Sequence, residues 1–403
     1  MYLTPRGKNL FRFQRYCNLN LFFNSRKRAK EKADASTVVM QLPDGTWQAA
    51  VGGLVLGTAA TAMLAATGKL VGLSGIFDGV ISRAPGRGWK VTFLSGFAAG
   101  GIVAAIVHPE GLNQRGAPGV STLGLVVSGC LVGLGTRLGS GCTSGHGLCG
   151  LPRLSRRSLV AVLTFLTSGI ASASVLAAWT ESGERGDLVA EEAPVLAIRY
   201  TALTASAAGL VHTFTSREER AFWRAHLASF LCGGMFAGGL VLSGMVRRAK
   251  VLDFLALRRD SWDPSLAFVL GCGVMTTLVG FPVVTRFFGS PVCGRPSVTT
   301  APEAKKVKGN GETEVLAPSL AEKFEIPKNT ELDLPLIVGA WIFGLGWGSS
   351  GMCPGPAFVA AAYGLPSVAC IFLPSVAVGM KIAGPLKKAV SLPHPSWVTG
   401  GSS

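Results

Sequence analysis

Two cysteines lie where glycine-rich segments interrupt long apolar runs, and their surroundings suggest chemistry. Cys142 lies in the run GLGTRLGSGCTSGHGLCG, residues 133–150. Cys353 ends the run GLGWGSSGMC, residues 344–353, which aligns without a gap with residues 133–142. Glycine permits tight turns and lets a ligand approach the main chain. Each run therefore predicts a break in a helix that presents a thiol.

The residues around the two thiols suit a small anion that contains sulfur. A helix that restarts after a break points main-chain N–H groups at the gap, which attracts anions. Thr143 and Ser144 are favourable N-cap residues after the first break, and Pro354 suits a first helical turn. Thiols are polarisable and form weak hydrogen bonds. Two facing thiols would therefore make a narrow site that contacts sulfur while N–H groups hold oxygen atoms.

Arg137 and His146 flank the first thiol, and each has two interpretations. Arg137 would attract an anion at the mouth of the path, or would extend its side chain to the membrane surface. His146 would donate a hydrogen bond to the ligand, or would be a polar residue packed between helices. Cys149 follows Cys142 by seven residues, which is nearly two helical turns and favours the same face.

The composition places these motifs in a membrane. The mean hydropathy is +0.42, and 15% of the residues are charged, whereas soluble domains average about 25%. The apolar runs are continuous, unlike the alternating strands of a membrane barrel. The net charge of +16 comes from basic residues in the N-terminal arm and between the runs. Such residues typically flank membrane spans, so we predict no nucleic-acid partner.

The apolar runs predict an all-α polytopic membrane protein with about nine transmembrane helices. Most runs are close to the ~20 residues that cross a bilayer. The fifth run is the least apolar because it contains Arg199 and several Ser and Thr. The candidate spans are residues 47–68, 89–108, 119–139, 158–180, 194–214, 221–246, 264–288, 334–350 and 366–384.

The chain contains an internal repeat. The two thiol motifs match at an offset of 211 residues, and GGLVLG at 52–57 matches GGMFAG at 233–238 at an offset of 181. The two repeats are inverted if residues 194–214 cross the bilayer, and parallel if they do not. We predict a crossing, because a two-fold axis in the membrane plane would bring the two broken, re-entrant helices together at mid-depth.

The predicted organisation has five parts. Residues 1–46 form a basic arm, which is either an organelle transit peptide or a cytosolic tail. The chain is accordingly predicted in a plasma membrane or an organelle inner membrane. The other parts are a first transport repeat at 47–192, a linking helix at 193–220, a second repeat at 221–388 with a disordered loop at about 290–333, and a C-terminal tail at 389–403.

Several motifs are absent from the sequence, and their absence argues against some classes of site and transport mechanism. The nine cysteines form no CxxC pair, so we predict no metal site and no cofactor. The sequence has no GxxxxGK[ST] motif, which argues against ATP-driven transport within this chain. The clearer spans contain no Asp or Glu, which favours facilitated diffusion over proton symport.

The run GTRLGSGCTSGHGLCG, followed by LPRLSRRSLVAVLTF, resembles the signature of the YeeE/YedE sulfur-transport family. The run GLGWGSSGMCPGPAFV resembles the companion motif of that family. The resemblance covers most of residues 47–388 and joins two halves that are often separate bacterial proteins. It implies uptake of thiosulfate or a related reduced sulfur species through a pseudo-symmetric helical bundle. Essential cysteines of the family hand the ion along without a redox step.

Cys142 and Cys353 match the family's cysteine positions. Some members carry a further Cys in the amphipathic piece after the first helix, where this chain has Ser74. That difference makes sulfide, persulfide or another small anion a candidate substrate. The predicted partners are the sulfur anion, the lipid bilayer and a cytosolic sulfur-acceptor protein. The candidate binding and relay residues are Cys142, Thr143, Ser144, His146, Arg137, Cys353, Ser350 and Ser74.

Two other functions remain open from the sequence. One is a membrane-embedded sulfurtransferase or redox protein, in which Cys142 and Cys353 form persulfides or a disulfide. Such chemistry needs an activated thiolate and an acceptor. The other is a passive channel for a neutral solute such as hydrogen sulfide. We expect a transport protein and not an enzyme.

Overall fold

The computed structural model describes residues 45–112, 119–180, 223–257, 262–288, 290–293, 324–327 and 329–390. The first repeat contributes α1 (Thr46–Thr67), α2 (Leu73–Ile81), α3 (Gly88–Val107), α4 (Thr122–Leu138) and α5 (Arg156–Thr180). The second repeat contributes α6 (Trp223–Leu242), α7 (Arg248–Leu255), α8 (Ser265–Phe287), α9 (Leu334–Ser350), α10 (Pro354–Tyr363) and α11 (Leu373–Val390). A π-helical turn, Thr143–Leu148, takes the position in the first repeat that α10 takes in the second.

Eight helical segments in the described residues are long and apolar enough to cross a membrane. They correspond to eight of the nine spans expected from the sequence, and the all-α polytopic fold is confirmed. The expected fifth span, residues 194–214, lies outside the described residues, as does the linking helix at 193–220. Residues 1–44 of the basic arm at 1–46, most of the predicted disordered loop and most of the C-terminal tail also lie outside them.

Local sequence signals set several helix ends. The Ser121 hydroxyl accepts a hydrogen bond from the Gly124 N–H at 3.1 Å and begins α4. The Asp333 carboxylate accepts one from the Leu336 N–H at 3.3 Å and begins α9. These are the side-chain caps that satisfy free N–H groups at helix starts. Gly351, with a φ of 70°, ends α9 in the left-handed conformation that glycine adopts without strain.

The first helices of the two repeats run antiparallel. Gly52 of α1 lies against Ser243, just after α6, whereas Leu56, one turn further along α1, lies against Gly239. The residue numbers of these contacts rise along α1 while they fall along α6. The two helices therefore run in opposite directions. Since α1 and α6 are equivalent in the two repeats, their opposite directions show that the repeats are inverted.

The thiol-bearing helices repeat this pattern. Gly135 of α4 lies against Phe343 of α9, and Gly139, at the end of α4, lies against Gly339. A side chain at Gly135 or Gly339 would overlap main-chain atoms of the facing segment, and one at Gly139 would be tightly confined. Small residues let the two backbones come this close, which is the usual mode of packing in membranes. The antiparallel pair α4 and α9 thus forms the centre of the bundle.

Four helices end at one end of the bundle, which we call the basic end. The Lys387 ammonium of α11 donates to the Arg137 carbonyl of α4 at 3.4 Å. The Val292 N–H, just after α8, donates to the Ala65 carbonyl of α1 at 2.9 Å. Helices α3, α5, α6 and α9 begin at this same end, so α5 and α6 share a direction. The basic residues gathered there include Lys69, Lys90, Arg137, Arg153, Arg157 and Lys387.

Inverted repeats predict a specific labelling result. Trp47 at the start of α1 and Trp223 at the start of α6 are 65% and 47% exposed and lie at opposite ends of the bundle. We expect Trp47→Cys and Trp223→Cys to react with a membrane-impermeant maleimide from opposite sides of sealed vesicles. The unmodified chain measures background labelling of its own cysteines. Labelling of both variants from one side would contradict the inverted arrangement.

Candidate functional site

The first break follows the end of α4 and presents Cys142. Ser140 has a φ of 60°, a left-handed conformation that is rare outside glycine. The chain is then extended at Cys142, with φ −128° and ψ −167°, before the π-helical turn begins. The Cys142 carbonyl accepts a hydrogen bond from the His146 N–H at 2.9 Å. The thiol therefore stands at the start of a short re-entrant helical turn.

The second break follows α9 and presents Cys353. The Ser350 hydroxyl donates to the Gly346 carbonyl at 2.7 Å and accepts from the Met352 N–H at 3.2 Å. Cys353 is extended, with φ −111° and ψ 168°, and is the N-cap of α10. Its carbonyl accepts a hydrogen bond from the Ala357 N–H at 3.1 Å. Ser350 thus shapes the break and holds it in place.

The two breaks meet. The Thr143 hydroxyl, beside Cys142, donates to the Cys353 sulfur at 3.6 Å. The Cys142 sulfur lies 3.2 Å from the Ser144 hydroxyl oxygen. That oxygen also accepts a hydrogen bond from the Leu73 N–H of α2 at 3.1 Å. Cys142 and Cys353 are 1% and 5% exposed, so both thiols are enclosed where the two repeats join.

Both thiols line one cavity of about 100 Å³, which we call the thiol cavity. Thr143 and Ser144 supply its hydroxyl groups, and the rest of its wall is almost entirely apolar. Met245 and Leu266, at the end of α6 and the start of α8, place the cavity on the side away from the basic end. Other apolar residues in the wall include Leu56, Leu73, Phe165, Phe236, Trp347 and Pro356.

Two polar cavities lie at the basic end. The first, which we call the vestibule, has a volume of about 490 Å³ and is lined by Lys90, Arg153 and Arg157. The second, which we call the Arg137 cavity, has a volume of about 560 Å³ and contains Ser74, Asp78 and Lys387 as well as Arg137. Gly75 and Ser140 line both, so the two cavities are neighbours.

A thin partition separates the vestibule from the thiol cavity. Gly72 and Gly145 line the vestibule, whereas their chain neighbours Leu73 and Ser144 line the thiol cavity. The hydrogen bond from Leu73 to Ser144 closes the partition. A Cβ placed on Gly72 would lie 3.9 Å from the Gly145 Cα, which is an ordinary van der Waals distance, so the two main chains leave room for little more than a methyl group. Because both thiols are also buried, the partition separates them from the vestibule.

His146 has both ring nitrogens engaged within the protein. Its Nε2 lies 3.0 Å from the Gly139 carbonyl oxygen and its Nδ1 lies 3.2 Å from the Ser158 hydroxyl. Because a carbonyl only accepts, Nε2 carries the proton and Nδ1 accepts from Ser158. The His146 side chain therefore ties the end of α4 to the start of α5. These two partners agree with the packed interpretation, and contact of His146 with a ligand stays a prediction.

Arg137 and Ser74 lie in the Arg137 cavity, apart from the thiols. Arg137 is 40% exposed and forms an ion pair with Asp78 of α2. Ser74 is buried in the wall of the same cavity. The charge at the end of α4 thus has an internal counter-ion, which an anion would have to displace or approach from outside.

Three residues near the thiols and the basic cavities are not among the predicted binding and relay residues. Cys149 lines the vestibule, and its thiol donates to the Val71 carbonyl at 3.2 Å; its spacing from Cys142 was the available signal. Asp78 is the one charged residue in α2. Arg248 of α7 is 1% exposed and its Nε donates to the Ser350 carbonyl at 2.7 Å. Burial lowers the pKa of Arg248 to about 10, so it is still cationic at neutral pH.

Broken helices that enclose two thiols between inverted repeats are typical of an integral membrane transport protein. The sulphur-transport family matches residues 16–171, and a family of unknown function, DUF6691, matches residues 225–306 and 313–391. No group of three or more His, Cys, Asp or Glu side chains within the described residues could hold a metal ion.

Curated relatives agree with this class. A protein of Xylella fastidiosa strain Temecula1 named "Probable transporter" is 36% identical over 130 residues, which are 32% of this chain and 94% of that protein. A second probable transporter of the same strain is 33% identical over 150 residues, 37% of this chain and 82% of that protein. The chain belongs to the sulphur-transport family and carries both halves of the transporter in one polypeptide.

The role of His146 gives a testable prediction. We expect His146→Ala to leave the buried Gly139 carbonyl unpaired, which costs about 1–3 kcal/mol, and to loosen the break at Cys142. The rate of Cys142 modification by N-ethylmaleimide, measured by peptide mass spectrometry, should rise several-fold. His226→Ala removes another buried histidine, which contacts Thr92, and should leave that rate unchanged. Equal rates in the two variants would show that His146 does not hold the break.

Proposed function

We propose that this chain carries thiosulfate or a related reduced sulfur anion across a membrane along a path lined by cysteines. The observation that carries the proposal is the meeting of Cys142 and Cys353 at one enclosed cavity. Each repeat contributes one thiol, and each thiol stands at the start of a re-entrant helical segment. Such a junction at the centre of inverted repeats is where transporters bind their substrates.

The chemistry of the site suits an ion with a sulfur end and an oxygen end. The thiols of Cys142 and Cys353 would contact the terminal sulfur through S–H···S interactions, which need no oxidation and no covalent bond. Hydroxyl groups of Thr143 and Ser144 can donate to oxygen atoms. N–H groups at the start of α10 add a partial positive charge that stabilises an anion. The site would thus replace part of the water that the ion loses.

The path would run from the vestibule through the partition to the thiol cavity. Lys90, Arg153 and Arg157 would raise the local concentration of anions at the basic end. Cys149 would contact the sulfur atom on the vestibule side of the partition. Cys142 and Cys353 would contact it on the other side, in the thiol cavity. Passage would require the partition to open, with loss of the hydrogen bond from the Leu73 N–H to the Ser144 hydroxyl. Transport in the opposite direction would use the same path in reverse order.

We propose that transport by this chain uses no energy source besides the gradient of the anion. The sequence has no nucleotide-binding motif, and Asp78, the acid of α2, is already paired with Arg137. We therefore propose facilitated diffusion, with the anion gradient as the driving force. A cytosolic protein that accepts the sulfur species would keep that gradient favourable.

The apolar wall of the thiol cavity supports a second candidate substrate. Apart from the thiols and the hydroxyls of Thr143 and Ser144, hydrocarbon surrounds the site. Such surroundings penalise a charged ion more than a neutral one. Ser74 also replaces a cysteine that some family members carry. A passive channel for hydrogen sulfide is therefore the alternative, and uptake of sulfide without uptake of thiosulfate would favour it.

Uptake measurements test the proposal. Radiolabelled thiosulfate uptake into proteoliposomes should fall at least tenfold in Cys142→Ala and in Cys353→Ala, because each change removes the sulfur contact of one repeat. Cys370→Ala is the matched control, since that cysteine is exposed on the outer surface of the bundle; its rate should stay within about twofold of the unmodified chain. A tenfold fall in the uptake rate corresponds to a change of about 1.4 kcal/mol in free energy, and a twofold change corresponds to less than half of that.

Two outcomes would count against the proposal. Unimpaired uptake by both Cys142→Ala and Cys353→Ala would show that the thiols do not carry the ion. Normal uptake with loss of sulfur transfer to an added thiol acceptor would assign the cysteines to a sulfurtransferase activity instead. Folding of each variant is checked by its elution as a single species in detergent.

A further inference from the structure

A short segment before α9 lies across the vestibule, and we call its described residues, 324–327 and 329–333, the strap. Phe324 packs against the hydrophobic core. The Glu325 N–H donates to the Gly68 carbonyl at 2.8 Å, just after the end of α1. Pro327 and Asn329 form part of the vestibule wall. This part of the loop between α8 and α9, which the sequence assigned to a disordered loop, is attached to the first repeat.

The strap supplies acceptors to the cations at the vestibule. The Glu325 carboxylate forms an ion pair with the Lys69 ammonium. An Arg153 Nη donates to the Pro327 carbonyl at 3.2 Å, and an Arg157 Nη lies 2.8 Å from the Asp333 carboxylate. The strap therefore provides oxygen atoms to three basic side chains at this end of the bundle.

Lys69 and Lys90 lie beside the same aromatic ring near the strap. Each ammonium lies 5.8 Å from the centre of the Trp89 ring, so the ring attracts both cations. The Lys69 side chain is 9% exposed, whereas its partner Glu325 is 55% exposed. The enclosed cation thus lies next to Leu70 of the vestibule wall, and its partner carboxylate on the strap is open to the solution. Because Glu325 is more than half exposed, solvent weakens the pair, and a dissolved anion can compete with the carboxylate.

We propose that Lys69 and Lys90 bind a small oxyanion with two negative charges, and that Glu325 is a built-in competitor for this site. When the anion binds, it replaces the Glu325 carboxylate on Lys69 and releases that corner of the strap. The site is selective for charge and not for sulfur, so it accepts sulfate as well as thiosulfate. Its place on the transport path rests on the proposed function, whereas its anion binding does not.

Binding to the purified full-length protein in detergent tests the competitor, because both ends of the bundle are then open to the solution. Thermal stabilisation is measured against thiosulfate and against sulfate, with chloride replaced to keep the ionic strength constant. Glu325→Gln should lower the half-saturating concentration of both anions by about fivefold, the size expected for an exposed ion pair.

Two further variants make the test specific. Glu331→Gln changes an acid of the same strap whose contact with Arg157 is made by its main-chain carbonyl; its half-saturating concentration should stay within about twofold of the unmodified chain. Lys69→Gln combined with Glu325→Gln should lose the gain, because the cation itself is removed. Equal binding by Glu325→Gln and Glu331→Gln, or saturation by chloride alone, would overturn the inference.

Uptake separates this inference from the proposed function. If Glu325→Gln binds anions more tightly while the unmodified chain carries no thiosulfate, the anion site stands and the proposed substrate is wrong. If the unmodified chain carries thiosulfate and Glu325→Gln binds it no more tightly, the proposed function stands and the competitor is wrong.

Discussion

Main-chain groups that a broken helix frees inside a bilayer must find partners in the protein, because hydrocarbon offers none. The two repeats meet this requirement with different residues. In the first repeat the Nε2 of His146 donates to the Gly139 carbonyl at the end of α4. In the second repeat the Nε of Arg248 donates to the Ser350 carbonyl at the end of α9. Both thiols are held in extended backbone directly after these two carbonyls, so the position of the sulfur atoms depends on these donors.

The inverted arrangement explains why the two thiols meet. The helices α4 and α9 cross antiparallel, and glycines such as Gly135 and Gly339 let their backbones touch. After these helices, the first repeat turns back toward the middle of the bundle from one end and the second repeat turns back from the other end. Cys142 and Cys353 therefore meet at one cavity. A parallel repeat would place the two breaks at the same end of the bundle, side by side. The glycine content of these helices is therefore a condition for the site as well as for packing.

The two ends of the path differ although the repeats are related. The basic end gathers cations around the vestibule and the Arg137 cavity, whereas the thiol cavity opens among apolar side chains. The first break continues into a π-helical turn that brings Cys149 to the vestibule, and the second continues into the regular helix α10. The strap adds a further difference, since it covers the vestibule alone. Two related repeats can therefore give a protein whose two ends differ, so that transport in the two directions need not be equivalent.

The sequence by itself determined the eight described spans, the repeat, the two thiol breaks and the family, because apolar length and glycine pattern are local properties of the chain. It did not determine which polar residues face the path. His146 and Ser350 form hydrogen bonds to the backbone at the two breaks, and Ser74 and Arg137 line a separate cavity with Asp78. These outcomes depend on contacts between residues far apart in the chain, such as Leu73 with Ser144 and Lys69 with Glu325. Only the tertiary structure decides such pairs, since hydropathy places a helix in the membrane without fixing its partners.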